Sequence, residues 1–317
     1  MEVFNWFKRN FVSALCLGIL LIFPGCKSSD GNPEPKAVHP LALLSSDSSI
    51  YVNVNVPYHQ ELTASILCSQ VQGLSEKDAL SLAERLDNLY IGLGTVKDRS
   101  RLEVASLVDI PKVAVKSVFS KKHGWKSEPY VIEEKEFNIY SRQDTEFKVA
   151  LPENDYLCVG QDIKPLLDKF SLNPAIEDTP WNNWINEQTE EILFYITKPG
   201  QYLRNLIGIQ INLGTDAIYG SLTYVPDEKK PKAYSGKYEL SFNMHLQDKR
   251  AMDSFKSLLA LSFGMMGVKI SAVDDLTVRL SGVEVTENQI KELFTRDPVT
   301  GKHFRVEGEK IITEQKK

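Results

Sequence analysis

The stretch YELSFNMHL, residues 238–246, alternates large apolar side chains with smaller or polar ones over its whole length. Successive side chains of an extended chain point to opposite sides, so the apolar side chains of this stretch all fall on one face. The strict period of two predicts a strand that buries one face in an antiparallel sheet and leaves the other face polar.

Shorter stretches on both sides repeat this alternation. Strands are predicted at residues 50–56, 89–95, 101–108 and 276–281. Helical patterns lie between them: Ser75 precedes Asp78 at the spacing of a helix N-cap, and residues 248–267 carry apolar side chains at helical intervals. Antiparallel strands with helices on one face predict the α+β fold class.

The same order of elements occurs twice along the chain, in residues 47–170 and again in residues 185–295. Each unit is predicted as strand, helix, strand, strand, helix, strand, strand, helix, and the closing helices read IKPLLDKF and IKELF. We interpret the two units as a tandem duplication with mainly antiparallel sheets. The alternative is a chance resemblance between two α+β domains, and the pattern leaves open whether the units share one sheet.

Two segments flank the second unit. The junction, residues 171–184, contains Pro174 and Pro180, which interrupt helices. Its tryptophans, Trp181 and Trp184, are expected to pack between the two halves, since most tryptophan side chains are largely buried. Residues 296–317 are predicted to be a polar tail.

The amino terminus has the pattern of a secretory signal peptide. Lys8 and Arg9 precede an apolar run that ends at Gly25. Residues 11–25 would form a helix of about 22 Å, whereas a membrane span needs about 30 Å. The run is therefore short for a permanent span, and residues 1–25 are predicted to be cleaved.

The end of this run, Phe23-Pro24-Gly25-Cys26, resembles the lipobox of bacterial lipoproteins. The resemblance implies cleavage before Cys26 and attachment of a diacylglycerol to its thiol, with acyl chains such as palmitate. It also implies a periplasmic or surface-facing location in the cell envelope. The alternative is an ordinary signal peptide followed by an incidental cysteine. The polar, proline-containing segment that follows predicts that residues 26–46 form a flexible linker.

Charge and motif content exclude several functions. The net charge of −5 provides no basic footprint for nucleic acid. The chain contains no zinc-ligand spacing, no nucleophile elbow and no phosphate loop. We therefore expect a protein that is not an enzyme and that has no metal site, no cofactor and no nucleic-acid partner.

Two sets of residues are candidates for more specific roles. Cys68 and Cys158 could form a disulfide in an oxidising compartment or could be buried thiols, and the second interpretation is favoured. The apolar helical stretch predicts a contact with an apolar ligand or a membrane through Phe255, Leu259, Phe263 and Met266. The alternative for this stretch is a core helix beneath the second sheet.

The sequence thus predicts a membrane-anchored lipoprotein of the cell envelope with a non-catalytic binding or scaffold role. Its partners would be the membrane, through the lipid anchor, and a protein of the envelope. The alternative is a carrier or sensor of a lipid or other amphiphile held in an apolar cavity.

Overall fold

The computed structural model describes residues 38–295 except 71–74, 97–98, 112–114, 117–118, 144, 154, 188, 198, 201–213, 231–232 and 264–267. The predicted signal peptide, Cys26, Met266 and the predicted polar tail lie outside these described residues.

One antiparallel sheet of twelve strands organises the described part of the chain. The strands are β1 (Ile50–Asn55), β2 (Leu86–Val96), β3 (Arg99–Val108), β4 (Lys126–Ile132), β5 (Lys135–Ser141), β6 (Lys148–Ala150), β7 (Tyr156–Gly160), β8 (Ile192–Ile196), β9 (Thr215–Tyr224), β10 (Lys237–Leu246), β11 (Lys269–Ala272) and β12 (Thr277–Thr286). Their spatial order is β11-β12-β10-β9-β8-β1-β2-β3-β7-β6-β5-β4. The α+β prediction is confirmed.

Helices pack on both faces of this sheet, which corrects the expectation of helices on one face. They are α1 (Pro40–Leu43), α2 (Gln60–Gln70), α3 (Glu76–Ala83), α4 (Lys164–Leu172), α5 (Pro180–Ile185), α6 (Lys249–Phe263) and α7 (Glu287–Thr295), with 3₁₀ turns at Val56–Tyr58 and Lys121–His123. As predicted, Ser75 caps α3 by accepting a hydrogen bond from the Asp78 amide. None of the helices in the described ranges is long and apolar enough to cross a membrane.

The two halves of the chain meet at the β1–β8 pair. Tyr51 lies opposite Tyr195 in this antiparallel pair, so both halves share one sheet. Outward from it, the strand order is β1-β2-β3-β7-β6 on one side and β8-β9-β10-β12-β11 on the other. The β4–β5 hairpin extends only the first half. This matching order is the topology that a duplication would produce, and the duplication itself stays a hypothesis.

The alternating stretch YELSFNMHL, residues 238–246, lies in β10. Tyr238, Met244 and Leu246 are buried, while Glu239 between them and Lys237 before them are exposed. The period-two pattern therefore predicts correctly which face of this strand enters the core.

The sheet separates two apolar layers. The anchor-side face, named for the amino-terminal segment that packs on it, carries Tyr51, Tyr90, Ala105, Cys158 and Leu193 beneath α1, α4 and α5. The strip-side face carries Val52, Val54, Val108 and Leu222, which pack with α2, α3 and α7. Further along the same face, α6 packs on β9, β10 and β12.

The predicted linker ends earlier than residue 46, which corrects its carboxyl boundary. Leu41, Leu43 and Leu44 are at most 2% exposed, because α1 and the segment after it pack into the anchor-side layer. The Tyr156 hydroxyl donates to the Val38 carbonyl at 2.7 Å. Residues 38–46 therefore belong to the folded body, and residues 26–37 of the predicted linker lie outside the described residues.

The disulfide alternative is incorrect for this structure, because Cys68 and Cys158 are free thiols. Cys158 is buried in the anchor-side layer, whereas Cys68 packs from α2 against the strip-side layer. The sheet therefore lies between them. The favoured interpretation, two thiols that pack as apolar side chains, agrees with these positions.

The junction tryptophans pack against both halves, as expected. Trp181 stacks on Tyr51 of β1, with ring centroids 3.6 Å apart and an interplanar angle of 10°. Trp184 meets Tyr219 of β9 edge-on at 4.9 Å. The α5 helix therefore covers the join between the two halves on the anchor-side face.

Candidate functional site

Aliphatic side chains run across the strip-side face of the first half without being fully covered. They form the apolar strip, which comprises Ile50, Ile91, Leu93, Leu102, Val104, Val149 and Val159. All seven side chains are half-buried. Because large aliphatic side chains in a core are usually buried completely, a row of partly exposed ones marks a surface suited to an apolar contact.

Strand register makes the apolar strip continuous. Leu93 of β2 lies opposite both Ile50 of β1 and Leu102 of β3. Val159 of β7 lies opposite both Val104 of β3 and Val149 of β6. Directly opposed side chains in antiparallel strands are close enough to touch, so the strip crosses five adjacent strands.

The apolar strip lies beside the helices of the strip-side face. Ile50 and Ile91 pack against the cluster that α2, α3 and α7 cover. Ile196, which is opposite Ile50 on β8, packs against the cluster beneath α6. Among the described residues, Leu93, Leu102 and Val104 belong to neither cluster. The strip is therefore the incompletely covered part of a larger apolar surface.

The predicted contact residues on α6 lie next to this region. Phe255 and Leu259 are 7% and 6% exposed and pack on the sheet, as the core-helix alternative requires. Phe263 ends α6, and Met266 lies outside the described residues. A contact of these four residues with a ligand or a membrane stays a prediction, and in this conformation the sheet already covers Phe255 and Leu259.

A buried polar network fastens the amino-terminal segment on the opposite face. The Glu103 carboxylate, which is fully buried, accepts hydrogen bonds from the Ser45 amide at 2.9 Å and the Ser45 hydroxyl at 2.7 Å. Arg101 forms ion pairs with Glu103 and Asp47. Lys169 donates to the Leu44 carbonyl, and burial lowers the pKa of its ammonium group. These bonds position the segment of the chain that leads into β1.

A second polar cluster joins α2 and α7 to the strip-side face. Lys291 bonds both the Ser65 hydroxyl and the Glu287 carboxylate, at 3.1 and 2.9 Å. Nearby, the His59 Nε2 atom lies 2.7 Å from the Glu190 carbonyl oxygen, and burial lowers the pKa of this imidazole. Ser65, Glu287 and Lys291 hydrogen-bond to one another, so this cluster links α2 to α7.

The described part of the chain shows no candidate metal site. No three His, Cys, Asp or Glu side chains in it come together in an arrangement that could hold a metal ion. The apolar strip itself contains no titratable side chain. The arrangement can therefore cover an alkyl chain or another apolar surface.

Comparison with known proteins gives one family. The profile described as outer membrane-associated lipoprotein TP0453 matches residues 35–291. A solved structure of crystal form III of TP0453 shares 16% identity over 82% of this chain and 99% of that chain, with a TM-score of 0.63. Crystal form I gives 16% identity, coverages of 82% and 97%, and a TM-score of 0.62. None of the curated proteins matches this chain.

Proposed function

Because the chain belongs to the family of the outer membrane-associated lipoprotein TP0453, we propose that its lipid anchor holds it at the outer membrane and that its apolar strip binds an amphiphile. A lipid-anchored location in the cell envelope follows from the family and agrees with the lipobox resemblance. The role is non-catalytic: the strip receives the apolar part of a lipid or similar molecule and leaves its polar group in water.

One observation supports this proposal above the others. Seven aliphatic side chains on five adjacent strands remain half-buried, although the other face of the same strands is closed. Each methylene group moved from water to such a surface contributes about 0.8 kcal/mol. A chain of ten methylenes would contribute about 8 kcal/mol before the cost of ordering it. Because association costs free energy of a similar size, only the surplus would appear as affinity.

The test combines lipid extraction with substitution inside the apolar strip. The full lipoprotein is purified in detergent, exchanged into buffer with a fluorescent fatty acid, and titrated. The substitution Val104→Asn places an amide in the middle of the strip and is expected to weaken binding about tenfold or more, since the amide must lose its water. Mass spectrometry of extracted wild-type protein is expected to identify bound lipid.

Val131→Asn is the matched control. Val131 is 62% exposed on β4 and lies outside the strip, so its replacement should leave affinity unchanged. Thermal unfolding of both variants separates lost binding from lost folding. Equal affinity of wild type and Val104→Asn, or a wild-type protein that carries and takes up no lipid, contradicts amphiphile binding and favours the scaffold role instead.

A further inference from the structure

The connection between β3 and β4 carries a concentration of positive charge beside the apolar strip. Residues 111–127 contain five lysines and neither aspartate nor glutamate, although the whole chain has a net charge of −5. We call these residues the basic segment. The acidic residues nearest to it in sequence, Asp109 and Glu128, lie outside it. A local excess of positive charge attracts a ligand of the opposite sign.

Apolar contacts place the basic segment on the strip-side face. Val115 packs against the cluster that α2, α3 and α7 cover. Phe119 stacks on Tyr140 of β5, with ring centroids 4.6 Å apart and an interplanar angle of 28°. Tyr140 lies opposite Val149 of β6, and directly opposed side chains of antiparallel strands are close enough to touch. The basic segment therefore meets the apolar strip at Val149, which is the strip residue nearest to β4.

Two lysines of the basic segment lie on a fixed turn next to this junction. Lys121 and Lys122 belong to the 3₁₀ turn that separates Phe119 from Trp125, and the rings of those two residues meet edge-on at 4.9 Å. The Gly124 amide donates to the Lys121 carbonyl at 3.0 Å. Gly124 has a φ of 79°, which glycine adopts without strain. The backbone that carries the two lysines is therefore preorganised.

Both of these lysines are exposed, so a ligand can reach them. The ion pairs formed among the described residues involve neither of them. The guanidinium carbon of Arg142 lies 5.4 Å from the centre of the Trp125 ring, so a third cation borders the turn. Asp144 and Glu146 follow Arg142 in sequence and offset its charge. The excess positive charge at this end of the apolar strip therefore comes from the lysines.

An apolar strip that ends beside exposed cations is complementary to an alkyl chain that carries an anionic group. A lysine ammonium group donates hydrogen bonds and accepts none, so its partner is an acceptor such as a carboxylate or a phosphate. We propose that the amphiphile of the apolar strip is anionic and that its headgroup pairs with Lys121 and Lys122. This inference rests on the proposed function, to which it adds the charge and the orientation of the ligand.

The other end of the apolar strip is suited to the alkyl chain. There Ile50 lies opposite Ile196, which packs against the apolar cluster beneath α6. An anionic group at that end would lose water against an apolar surface. The strip crosses five strands, a width of about 19 Å at about 4.8 Å between neighbours, so it can cover one acyl chain, which spans about 15 Å in half of a bilayer core. The headgroup therefore lies at the basic segment and the chain points toward β8.

The test compares amphiphiles that share one alkyl chain and differ in headgroup charge. The full lipoprotein, exchanged from detergent into buffer, is titrated by calorimetry with dodecanoate, dodecyl phosphate and monododecanoylglycerol at about pH 8, where lysines are protonated and carboxylates ionised. At least one of the two anions is expected to bind about tenfold more tightly than the neutral glyceride, since two exposed ion pairs contribute modestly. This preference should shrink as salt is added.

The double variant Lys121→Gln, Lys122→Gln is expected to lose the preference. Its affinity for the anion should fall to that for the glyceride, while its affinity for the glyceride stays unchanged because the strip is intact. Inorganic phosphate at about 10 mM should not displace the bound anion, because it lacks the alkyl chain that supplies most of the binding.

The matched control is Lys229→Gln, Lys230→Gln, since these adjacent lysines are also exposed but lie between β9 and β10 in the other half of the chain. It removes the same charge and should keep the preference for the anion. Thermal unfolding of both double variants reports folding.

The outcomes separate this inference from the proposed function. Equal affinity of the wild type for anions and glyceride, equal losses in both double variants, or displacement by inorganic phosphate overturns the anionic assignment and leaves amphiphile binding standing. A wild-type protein that binds none of the three amphiphiles overturns amphiphile binding as well.

Discussion

On strands β1, β2 and β3, the side chains of Tyr51, Tyr90 and Ala105 are at most 2% exposed, whereas Ile50, Ile91 and Val104 beside them in sequence are half-buried. The two groups occupy opposite faces of the same strands. The two faces differ in how completely helices cover them. The α1, α4 and α5 helices cover the anchor-side face, whereas the helices of the strip-side face leave the apolar strip partly exposed.

This comparison separates residues that hold the fold from residues that are available for binding. A fully buried side chain loses packing contacts and leaves a cavity when it is shortened. A half-buried side chain has fewer contacts to lose, so its replacement changes the surface more than the stability. Three experiments either strengthen or break this division.

Removal of the segment that closes the anchor-side face is expected to have the largest effect. A chain that starts at Ile50 lacks Leu41, Leu43 and Leu44 and leaves buried Glu103 without its Ser45 donors. Each lost core leucine costs about 2–5 kcal/mol, and the whole stability of a domain is about 5–15 kcal/mol. We expect no cooperative urea transition, measured by circular dichroism.

A chain that starts at Val38 is the reference for this deletion and should unfold cooperatively. If both chains unfold at the same urea concentration, residues 38–49 do not contribute to the core, and the proposed difference between the two faces is contradicted.

Matched leucine substitutions test the two faces directly. Leu193→Ala on the anchor-side face, where Leu193 is 2% exposed, is expected to lower the free energy of unfolding by about 2–5 kcal/mol. Leu93→Ala in the half-buried strip should cost about 1 kcal/mol or less. Urea denaturation measures both. Equal losses would mean that the strip is ordinary core and would also weaken the case for amphiphile binding.

Thiol reactivity gives the smallest effect, because it leaves the fold intact. Burial raises the pKa of Cys158 to about 12, and burial also raises the pKa of the half-buried Cys68. The thiolate is the reactive form. In native protein at pH 8, a thiol reagent is expected to modify Cys68 at least about tenfold faster than Cys158, measured by mass spectrometry of peptides. Equal rates would show that the anchor-side layer opens readily.

Several features of the fold follow from local sequence. The period-two stretch of β10 predicts its own strand and its buried face, and Ser75 predicts the start of α3. The edge strand β4 does not follow in this way. Its sequence, KSEPYVI, has no regular alternation and contains Pro129. A strand at a sheet edge tolerates such residues, because one of its sides has no neighbouring strand.

Other features depend on contacts between distant residues and cannot be read from a single stretch. The β1–β8 pair joins residues about 140 positions apart, and such a pairing leaves no local signature. The apolar strip is hidden for a different reason. Tyr90 and Ile91 are both apolar, so the sequence does not indicate which one a helix covers.

The hydrogen bonds that hold residues 38–45 determine where a pulling force enters the folded body. Tyr156, Tyr51, Glu103 and Lys169 hold residues 38–45 to β7, β1, β3 and α4. The lipobox resemblance implies that a lipid pulls on the chain from Cys26, ahead of this segment. A force that enters the body at residue 38 is divided among four attachment points, all of them on the first half. It passes from there to the carboxyl-terminal half through the shared sheet, where β1 pairs with β8.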